Sequence, residues 1–343
     1  MPNEVLRKCL ASLTRGENLS RGGATLLLDA LLDDSATDAQ IAATLIALKL
    51  KGETVEELAG LAEGMRARSA RVTTSHKCFI DTAGTGSSCV KTFNVSTAAA
   101  FVIAGAGLPV AKHGNRAASS RCGSADVLTA LGVDVSMSPE TSAKCLDEIG
   151  ICFMFAPLYH GATARVAGIR REMGVQTTFN LLGPLTNPAG APRQIIGVWD
   201  RSLVEPLAQT LSLLGTERAW IVHGADGLDE ITVAAGTFVA EATSGAVRTF
   251  EIEPHDFGFE PVALDGLSGG DAEANAAIVR AVLSGAQRDA ARLLVVVNAA
   301  AALHVGGLAR NLGEGAKMAE RSIDSGAAQR KLEDLIRTSS KAG

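Results

Sequence analysis

Short apolar segments alternate with segments of helix length beyond residue 71, and this alternation decides the fold class. The short segments are residues 108–111, 151–155, 194–199, 219–223 and 293–297. Several intervals between them are long enough for a helix, which is the usual connection between neighbouring parallel strands. The pattern therefore predicts an α/β domain with a mostly parallel central sheet.

Helical periodicity extends over the N-terminal part of the chain. Two capping boxes occur there, in which a threonine precedes a Gln or Glu by three residues: Thr37 with Gln40 and Thr54 with Glu57. Apolar side chains follow each box at helical spacing. We expect about four helices, which form a small helical domain over residues 1–70.

A further helical segment occurs later and ends at the pair Gly183-Pro184. Glycine and proline in succession are a common stop signal for a helix. We expect helices within residues 165–190 to pack against the N-terminal helices. The α/β domain then comprises residues 71–164 and 191–343.

The composition limits the possible partners. The 343 residues include 32 Lys and Arg against 37 Asp and Glu, a net charge of −5, and only 4% are aromatic. An acidic chain without a basic run matches neither a nucleic-acid-binding protein nor one that binds an anionic membrane, and few rings are present for stacking on bases. We therefore expect neither nucleic acid nor a membrane as a partner.

Two further observations favour a cytoplasmic protein. The six cysteines are scattered, with no C-x-x-C pair, as in proteins of reducing compartments. The most apolar stretch, residues 293–308, contains Asn298 and His304 and is shorter than the roughly 20 residues of a membrane-spanning helix. We interpret this stretch as a buried helix, although residues 293–297 alone also have the length of a strand.

A glycine-rich loop follows the short apolar run at residues 78–80. It reads DTAGTGSS over residues 81–88 and is followed by TFNVST over residues 92–97 and an alanine-rich helix. A strand, a glycine loop and a helix start in succession present backbone N–H groups that bind phosphate. The loop matches neither the P-loop nor the dinucleotide fingerprint, and the structural alternative is an ordinary turn capped by Ser96 or Thr97.

A second loop, over residues 111–124, is basic. It combines Lys112, Arg116 and Arg121 with several small polar residues at the end of a predicted strand. Ligand sites of open α/β sheets lie at such strand ends. The loop therefore predicts an anion site, and a solvated basic loop is the alternative.

Two later segments carry charges that can complete a site. Asp229 and Glu230 follow a predicted strand, and Mg²⁺ is commonly bound by one or two carboxylates together with substrate phosphates; the alternative is a solvated turn. Arg170 lies in a helical segment and can pair with a substrate carboxylate, although most such arginines are surface charges.

Taken in order, these strings resemble the anthranilate phosphoribosyltransferase family. The matching strings are GTG at residues 84–86, TFNVST at 92–97, KHGNR at 112–116, GSADVL at 123–128, FNLLGPLTNP at 179–188 and DGLDE at 226–230. They occur in the family's order and span nearly the whole chain. KHGNR together with FNLLGPLTNP is far more specific than a glycine loop.

The resemblance implies a fold and a reaction. The fold is a small helical domain joined to a larger α/β domain, with the active site between them and a homodimer formed through the helical domain. The reaction is transfer of phosphoribose from phosphoribosyl pyrophosphate (PRPP) to the amine of anthranilate in tryptophan biosynthesis. Pyrophosphate is released, and Mg²⁺ is the cofactor.

The resemblance also implies roles for individual residues. For PRPP it implies Gly84, Thr85, Gly86, Ser87, Ser88, Thr92, Asn94, Val95, Ser96, Thr97, Lys112, Ser119, Ser120 and Ser124. For anthranilate it implies Gly84, His113, Asn115, Arg170 and Gly183. For magnesium it implies Ser96, Asp229 and Glu230, and for catalysis Lys112, Asp229 and Glu230.

One departure from the family pattern stands in the glycine loop. Where the family has Gly-Asp, this chain has Ser87-Ser88, so it lacks a carboxylate beside the donor site and a glycine that permits close approach of the backbone. Three outcomes follow: catalysis with an altered magnesium dependence, use of another aromatic amine, or loss of turnover. We favour catalysis.

Two other functions are considered. A nucleoside phosphorylase of the same structural superfamily also pairs a helical with an α/β domain, but KHGNR and LLGPLTNP argue against it. A non-catalytic relative that binds nucleic acid should carry a basic groove, and the net charge of −5 argues against that function.

Overall fold

The computed structural model describes residues 3–86, 90–117 and 121–340. Four helices open the described chain: α1 (Glu4–Thr14), α2 (Arg21–Leu32), α3 (Asp38–Lys51) and α4 (Val55–Arg68). Each begins where a side chain accepts a hydrogen bond from a backbone N–H group of the first turn. Both predicted capping boxes form, and the prediction of an N-terminal helical bundle is confirmed.

The carboxylate of Glu57 ties three parts of this bundle together. It is buried and accepts hydrogen bonds from Leu19 N–H at 2.8 Å, Thr54 N–H at 2.8 Å and Lys51 Nζ at 2.7 Å. Burial alone would raise the pKa of Glu57, but these donors outweigh it and the pKa lies below its ordinary value. Glu57 therefore joins the α1–α2 connection to the end of α3 and the start of α4.

Replacing Glu57 by alanine is expected to lower the free energy of unfolding by about 3 kcal/mol at neutral pH, because a buried ammonium and two N–H groups lose their partner. The folded-state pKa lies below 4.5, so this contribution is present above that pH and is lost as the pH falls through the folded-state pKa. Urea unfolding of both proteins at neutral pH and at about pH 3 measures it. A difference that does not change with pH would contradict the assignment.

One sheet of seven strands forms the centre of the remaining chain. The strands are β1 (Ile80–Gly84), β2 (Val110–Gly114), β3 (Ile151–Phe155), β4 (Arg193–Gly197), β5 (Arg218–Gly224), β6 (Thr237–Thr243) and β7 (Ala246–Ile252). Their order is β3-β2-β1-β4-β5-β6-β7. The first five pair in parallel and the last two pair antiparallel, which confirms the predicted mostly parallel sheet.

Helices cover both faces of this sheet. Ile195 and Trp220 belong to one buried cluster, whereas Ile196 and Ile221 belong to another, because successive side chains of a strand point to opposite faces. The helices are α5 (Val95–Gly105), α6 (Ser124–Ala130), α7 (Pro139–Ile149), α8 (Ala156–Tyr159), α9 (Ala164–Met173), α10 (Phe179–Leu185), α11 (Val204–Leu213), α12 (Ala272–Leu283), α13 (Ala290–Val305), α14 (Leu312–Asp324) and α15 (Ala327–Ser339).

Helices α9 and α10 lie against the N-terminal bundle. Val166 and Ile169 of α9 and Leu182 and Leu185 of α10 share a buried cluster with side chains of α1 to α4. A left-handed residue, Gly174 with φ 65°, ends α9, so the predicted helical segment is divided in two. The division of the chain into domains at the predicted boundaries stays a prediction.

The strand interpretation of residues 293–297 is wrong. This segment lies inside α13, and the interpretation as a buried helix is correct. Apolar residues surround α13 on all sides, so periodicity could not separate helix from strand. In the described part of the chain no helix is long and apolar enough to cross a membrane.

The β6–β7 hairpin is absent from the sequence-based predictions. Two residues join its strands, and the second, Gly245, has φ 81°. A Ser-Gly pair between two strand-like segments is a turn signal. The hairpin extends the sheet away from the site described next.

Candidate active site

A cavity of about 340 Å³ opens at the carboxyl edge of the sheet. It is lined by the loops that follow β1, β2 and β5 and by residues of α9 and α10. The chain runs from β1 to β2 and β3 on one side of β1 and then places β4 on the other side. Such a reversal of strand order leaves a crevice in which ligands bind.

Every predicted site residue in the described part of the chain lines this cavity. They are Gly84, Thr85, Gly86, Thr92, Asn94, Val95, Ser96, Thr97, Lys112, His113, Asn115, Ser124, Arg170, Gly183, Asp229 and Glu230. The predicted residues Ser87, Ser88, Ser119 and Ser120 lie outside the described residues. The fold therefore brings segments from five regions of the sequence into one space, and their individual roles stay predictions.

The loop after β1 and the start of α5 form one end of the cavity. Thr85 donates its N–H and its hydroxyl to Gly197 O, at 2.9 and 3.2 Å, and Gly86 adopts φ 66°. Asn94 precedes α5 without capping it, and its Oδ1 accepts from Asn275 Nδ2 at 2.9 Å. The positive end of the α5 dipole faces the cavity, which favours a bound anion.

Lys112 reaches this end from β2. Its side chain is buried, and Nζ donates to Thr82 O and, at 3.3 Å, to Ser96 Oγ. Burial lowers the pKa of Lys112, while the carboxylates of Asp81 and Glu230 act in the opposite direction. The ammonium group adds a positive charge beside the glycine loop, as a phosphate site requires.

Asp229 and Glu230 face the same end from the loop after β5. Burial raises the pKa of Glu230 to about 8, with a further contribution from the carboxylate of Asp229. Burial also raises the pKa of Asp229. Glu230 Oε1 accepts from Ser96 N–H at 3.2 Å. Burial and mutual repulsion disfavour the ionised forms of these two carboxylates, and a bound cation stabilises those forms.

The donor set fits a magnesium ion. Ser96, Asp229 and Glu230 supply only oxygen atoms, which Mg²⁺ prefers. The described ranges contain no group of three or more His, Cys, Asp or Glu side chains placed to hold a metal. The remaining positions around Mg²⁺ would fall to water and to substrate oxygens, as is usual where this ion accompanies phosphates.

Gly197, at the end of β4, allows the acidic loop to approach the sheet. A Cβ atom at this position would lie 1.7 Å from Asp229 O and 2.7 Å from the carbonyl carbon of Asp229. The carbonyl oxygen of Gly197 is also the acceptor for Thr85. One glycine thus sets the position of both the acidic loop and the glycine loop.

His113 and Gly183 line the opposite end of the cavity. His113 Nδ1 lies 3.2 Å from Gly183 O, so Nδ1 carries a proton and donates it to that oxygen. Burial, with smaller contributions from His160 and Lys112, lowers the pKa of His113 to about 3. The imidazole is therefore neutral at physiological pH.

Arg170 completes this end from α9. Its Nη2 donates to Asn180 Oδ1 at 2.9 Å, and the guanidinium carbon lies 5.4 Å from the centre of the Phe179 ring. Its Nε atom is buried and has no hydrogen-bond partner among the described residues. A guanidinium group with an unsatisfied donor at a cavity wall suits the carboxylate of a ligand.

Three polar residues that support the site are absent from the sequence-based predictions. Asn180 orients Arg170, Asn275 orients Asn94, and Asp81 accepts the N–H of His113 at 3.2 Å. Asn180 belongs to the string FNLLGPLTNP, and its position in this specific motif could have indicated a role at the site. Asp81 and Asn275 act through neighbours that are remote in sequence, which no local pattern indicates.

The fold and the cavity define a class of enzyme in which a helical bundle and a mostly parallel sheet enclose a site for an anionic substrate and a cation. Two family models match the chain. Residues 7–69 match the helical bundle domain of the glycosyl transferase family, and residues 76–329 match the a/b domain of the same family.

Similar proteins define the family within this class. Anthranilate phosphoribosyltransferase of Moorella thermoacetica is 52% identical over 332 residues, covering 97% of this chain and 98% of the relative. That of Rubrobacter xylanophilus is 51% identical over 335 residues, 98% of either chain. The chain belongs to the anthranilate phosphoribosyltransferase family.

Solved structures agree with this membership. The crystal structure of the Thermus thermophilus enzyme superposes with a TM-score of 0.91 at 37% identity, covering 97% of this chain and 99% of that one. The Saccharomyces cerevisiae enzyme in complex with PRPP and Mg superposes with a TM-score of 0.89 at 30% identity, covering 98% of either chain. The predicted family and fold are confirmed, and neither alternative function is favoured.

Proposed function

We propose that this protein transfers the phosphoribosyl group of PRPP to the amine of anthranilate, with release of pyrophosphate and use of Mg²⁺, in tryptophan biosynthesis. The observation that carries the proposal is the division of one cavity into two chemically different ends. The glycine loop, Lys112 and the acidic pair lie at one end, and the unsatisfied guanidinium of Arg170 lies at the other. PRPP and anthranilate differ in the same way, since one carries phosphates and the other a single carboxylate.

At the donor end, the proposal assigns pyrophosphate and ribose phosphate to backbone and small polar groups. Lys112 adds positive charge where the leaving group develops negative charge. The binding residues are Gly84, Thr85, Gly86, Ser87, Ser88, Thr92, Asn94, Val95, Ser96, Thr97, Ser119, Ser120 and Ser124. Ser96, Asp229 and Glu230 would hold Mg²⁺, which supplies further neutralisation of the pyrophosphate charge when bound.

At the acceptor end, the proposal assigns the carboxylate of anthranilate to Arg170 and the ring to the space beside His113, Asn115, Gly84 and Gly183. The amine nitrogen forms a bond to the anomeric carbon, the bond from that carbon to pyrophosphate breaks, and its electron pair leaves with the pyrophosphate. The amine then releases one proton to water. An aromatic amine is a nucleophile when neutral, so these residues act by alignment.

Anthranilate fluorescence tests the proposal directly. Consumption of anthranilate is expected to require both PRPP and magnesium and to match pyrophosphate release one for one. Aniline, which lacks the carboxylate, is expected to be used about 100-fold less efficiently, because a site built for a polar group rejects the analogue that lacks it. A folded protein that binds PRPP but prefers another aromatic amine would overturn the assignment of anthranilate.

Replacing Gly197 by alanine is expected to displace the acidic loop and to raise the magnesium concentration for half-maximal activity about tenfold, as shifts of supporting groups around a metal do. The cause is the 1.7 Å approach of the new Cβ to Asp229 O. Magnesium titration of the transfer rate measures this effect. Gly22→Ala is the control, because nothing lies within 4 Å of a Cβ at Gly22. An unchanged magnesium dependence in Gly197→Ala would show that the loop position does not set metal binding.

The homodimer through the helical domain, the cytoplasmic location, the domain boundaries and the absence of a nucleic-acid partner stay predictions. Sedimentation of the purified protein tests the first of these. The magnesium titration of the wild-type protein tests the altered magnesium dependence considered for Ser87-Ser88.

A further inference from the structure

The pairing between β1 and β2 stops short of the active site. These strands pair only at Ile80 and Val110, whereas β1 pairs with β4 over five residues, from Ile80 to Gly84. On its other side, β2 pairs with β3 along its whole length, from Val110 to Gly114. The two central strands therefore separate at their carboxyl ends, directly beneath the cavity.

A continued parallel ladder would use four backbone groups at this point. The N–H of Thr82 would donate to Ala111 O, and the N–H of His113 would donate to Thr82 O. Buried backbone groups that lose such partners must find others. Side chains supply partners for three of the four groups here.

Asp81 and Asn187 provide two of these replacements. Asp81 Oδ1 accepts from the N–H of His113 at 3.2 Å. Asn187 Nδ2 donates to Ala111 O at 2.9 Å. The third group, Thr82 O, accepts from Lys112 Nζ.

The two side chains also hold each other. Asn187 Nδ2 donates to Asp81 Oδ2 at 2.7 Å, and Asn187 Oδ1 accepts from Ala189 N–H at 2.9 Å. The orientation of the Asn187 amide is therefore determined, because both its donor hydrogens and its oxygen are engaged. Asp81 is fully buried, and every named partner of its carboxylate is a donor, as an ionised carboxylate requires.

We propose that Asp81 and Asn187 are a positioning pair that holds β2 apart from β1 and so places Lys112 and His113 at the two ends of the cavity. The inference rests on the proposed function. Lys112 and His113 are consecutive and point to opposite faces of the strand, one toward Ser96 and the other toward Gly183. A small shift of β2 therefore moves the contacts of Lys112 with PRPP and those of His113 with anthranilate together.

The test is Asp81→Asn, which keeps the size of the side chain and places an amide N–H₂ against Asn187 Nδ2. We expect kcat to fall about 100-fold, the loss that a displacement near 1 Å produces. The KM for anthranilate rises. The KM for PRPP rises as well, because Lys112 shifts with β2, but it rises less, because the glycine loop, the start of α5 and the acidic pair do not depend on Asp81.

Glu241→Gln is the matched control. Glu241 is also a buried carboxylate, but it lies on β6 with Arg218, Arg248 and Trp220 as partners and does not line the cavity. This variant is expected to lose thermal stability while kcat and both KM values remain those of the wild type. The comparison separates positioning from a general loss of stability.

Asn187→Ser is the second variant, in case Asp81→Asn does not fold. It leaves Asp81 to accept from His113 and removes the bonds of Asn187 to Asp81, Ala111 and Ala189, so a smaller loss of kcat in the same direction is expected. If the wild type is active and either variant is less stable but has kinetic constants within twofold of it, the inference is overturned and the proposed function is not. A folded wild-type protein without transfer activity would overturn the proposed function and this inference with it.

Discussion

Replacing Asp229 by asparagine and Glu230 by glutamine in one chain is expected to lower kcat at least about 1000-fold, because the substitution removes the two carboxylates that would hold magnesium against the leaving pyrophosphate. The size follows from the several kcal/mol that metal-assisted charge neutralisation contributes to a transition state. Anthranilate fluorescence in saturating PRPP and magnesium measures the loss. Glu251→Gln, an exposed carboxylate on β7, is the control and retains full activity.

The same double variant is expected to be no less stable than the wild type in the absence of metal. Burial raises the pKa of Glu230 from 4.5 to about 8, so ionisation of this group destabilises the folded state as the pH rises between those values. Addition of magnesium to the PRPP-bound protein should then raise the thermal midpoint of the wild type further and leave that of the PRPP-bound variant unchanged. Equal midpoint shifts in both proteins would place the metal elsewhere.

Local sequence signals predicted those parts of the fold that neighbouring residues determine. The capping boxes at Thr37 and Thr54 form as predicted because each involves only one turn of helix. The five parallel strands lie within a few residues of the apolar segments identified in the sequence. The segment 293–297 misled the prediction because a helix buried on every side has no polar face to show its period.

The sequence predicted which residues line the candidate site. It did not predict the long-range contacts that hold those residues in place. Every described residue that the family resemblance implied lines one cavity. The approach of Gly197 to Asp229 and the bond of Asn187 to Asp81 join positions that are far apart in the chain. They depend on which strands become neighbours, and no pattern around any of these residues specifies that.

Removal of the Arg170 side chain is expected to lower kcat/KM for anthranilate about 10- to 150-fold, because the carboxylate would lose charge-assisted hydrogen bonding of about 1.5–3 kcal/mol. The Nε of Arg170 has no partner among the described residues, and the residue lines the cavity. Asn180 fixes the other side of the guanidinium at 2.9 Å. The KM for PRPP should remain unchanged, because Arg170 lies at the acceptor end. Steady-state kinetics of Arg170→Ala with each substrate varied in turn measures both effects.

Arg170→Lys and a neutral acceptor separate charge from geometry. Lysine keeps the positive charge but lacks the planar fork, so we expect it to recover only part of the loss. With 2-aminobenzamide, whose neutral amide oxygen can accept a hydrogen bond but forms no ion pair, the loss in Arg170→Ala should be much smaller than with anthranilate. Arg171→Ala, at an exposed position of the same helix, is the control for helix α9. An equal loss with anthranilate and with 2-aminobenzamide would mean that Arg170 supports the fold of this end of the cavity and does not recognise the carboxylate.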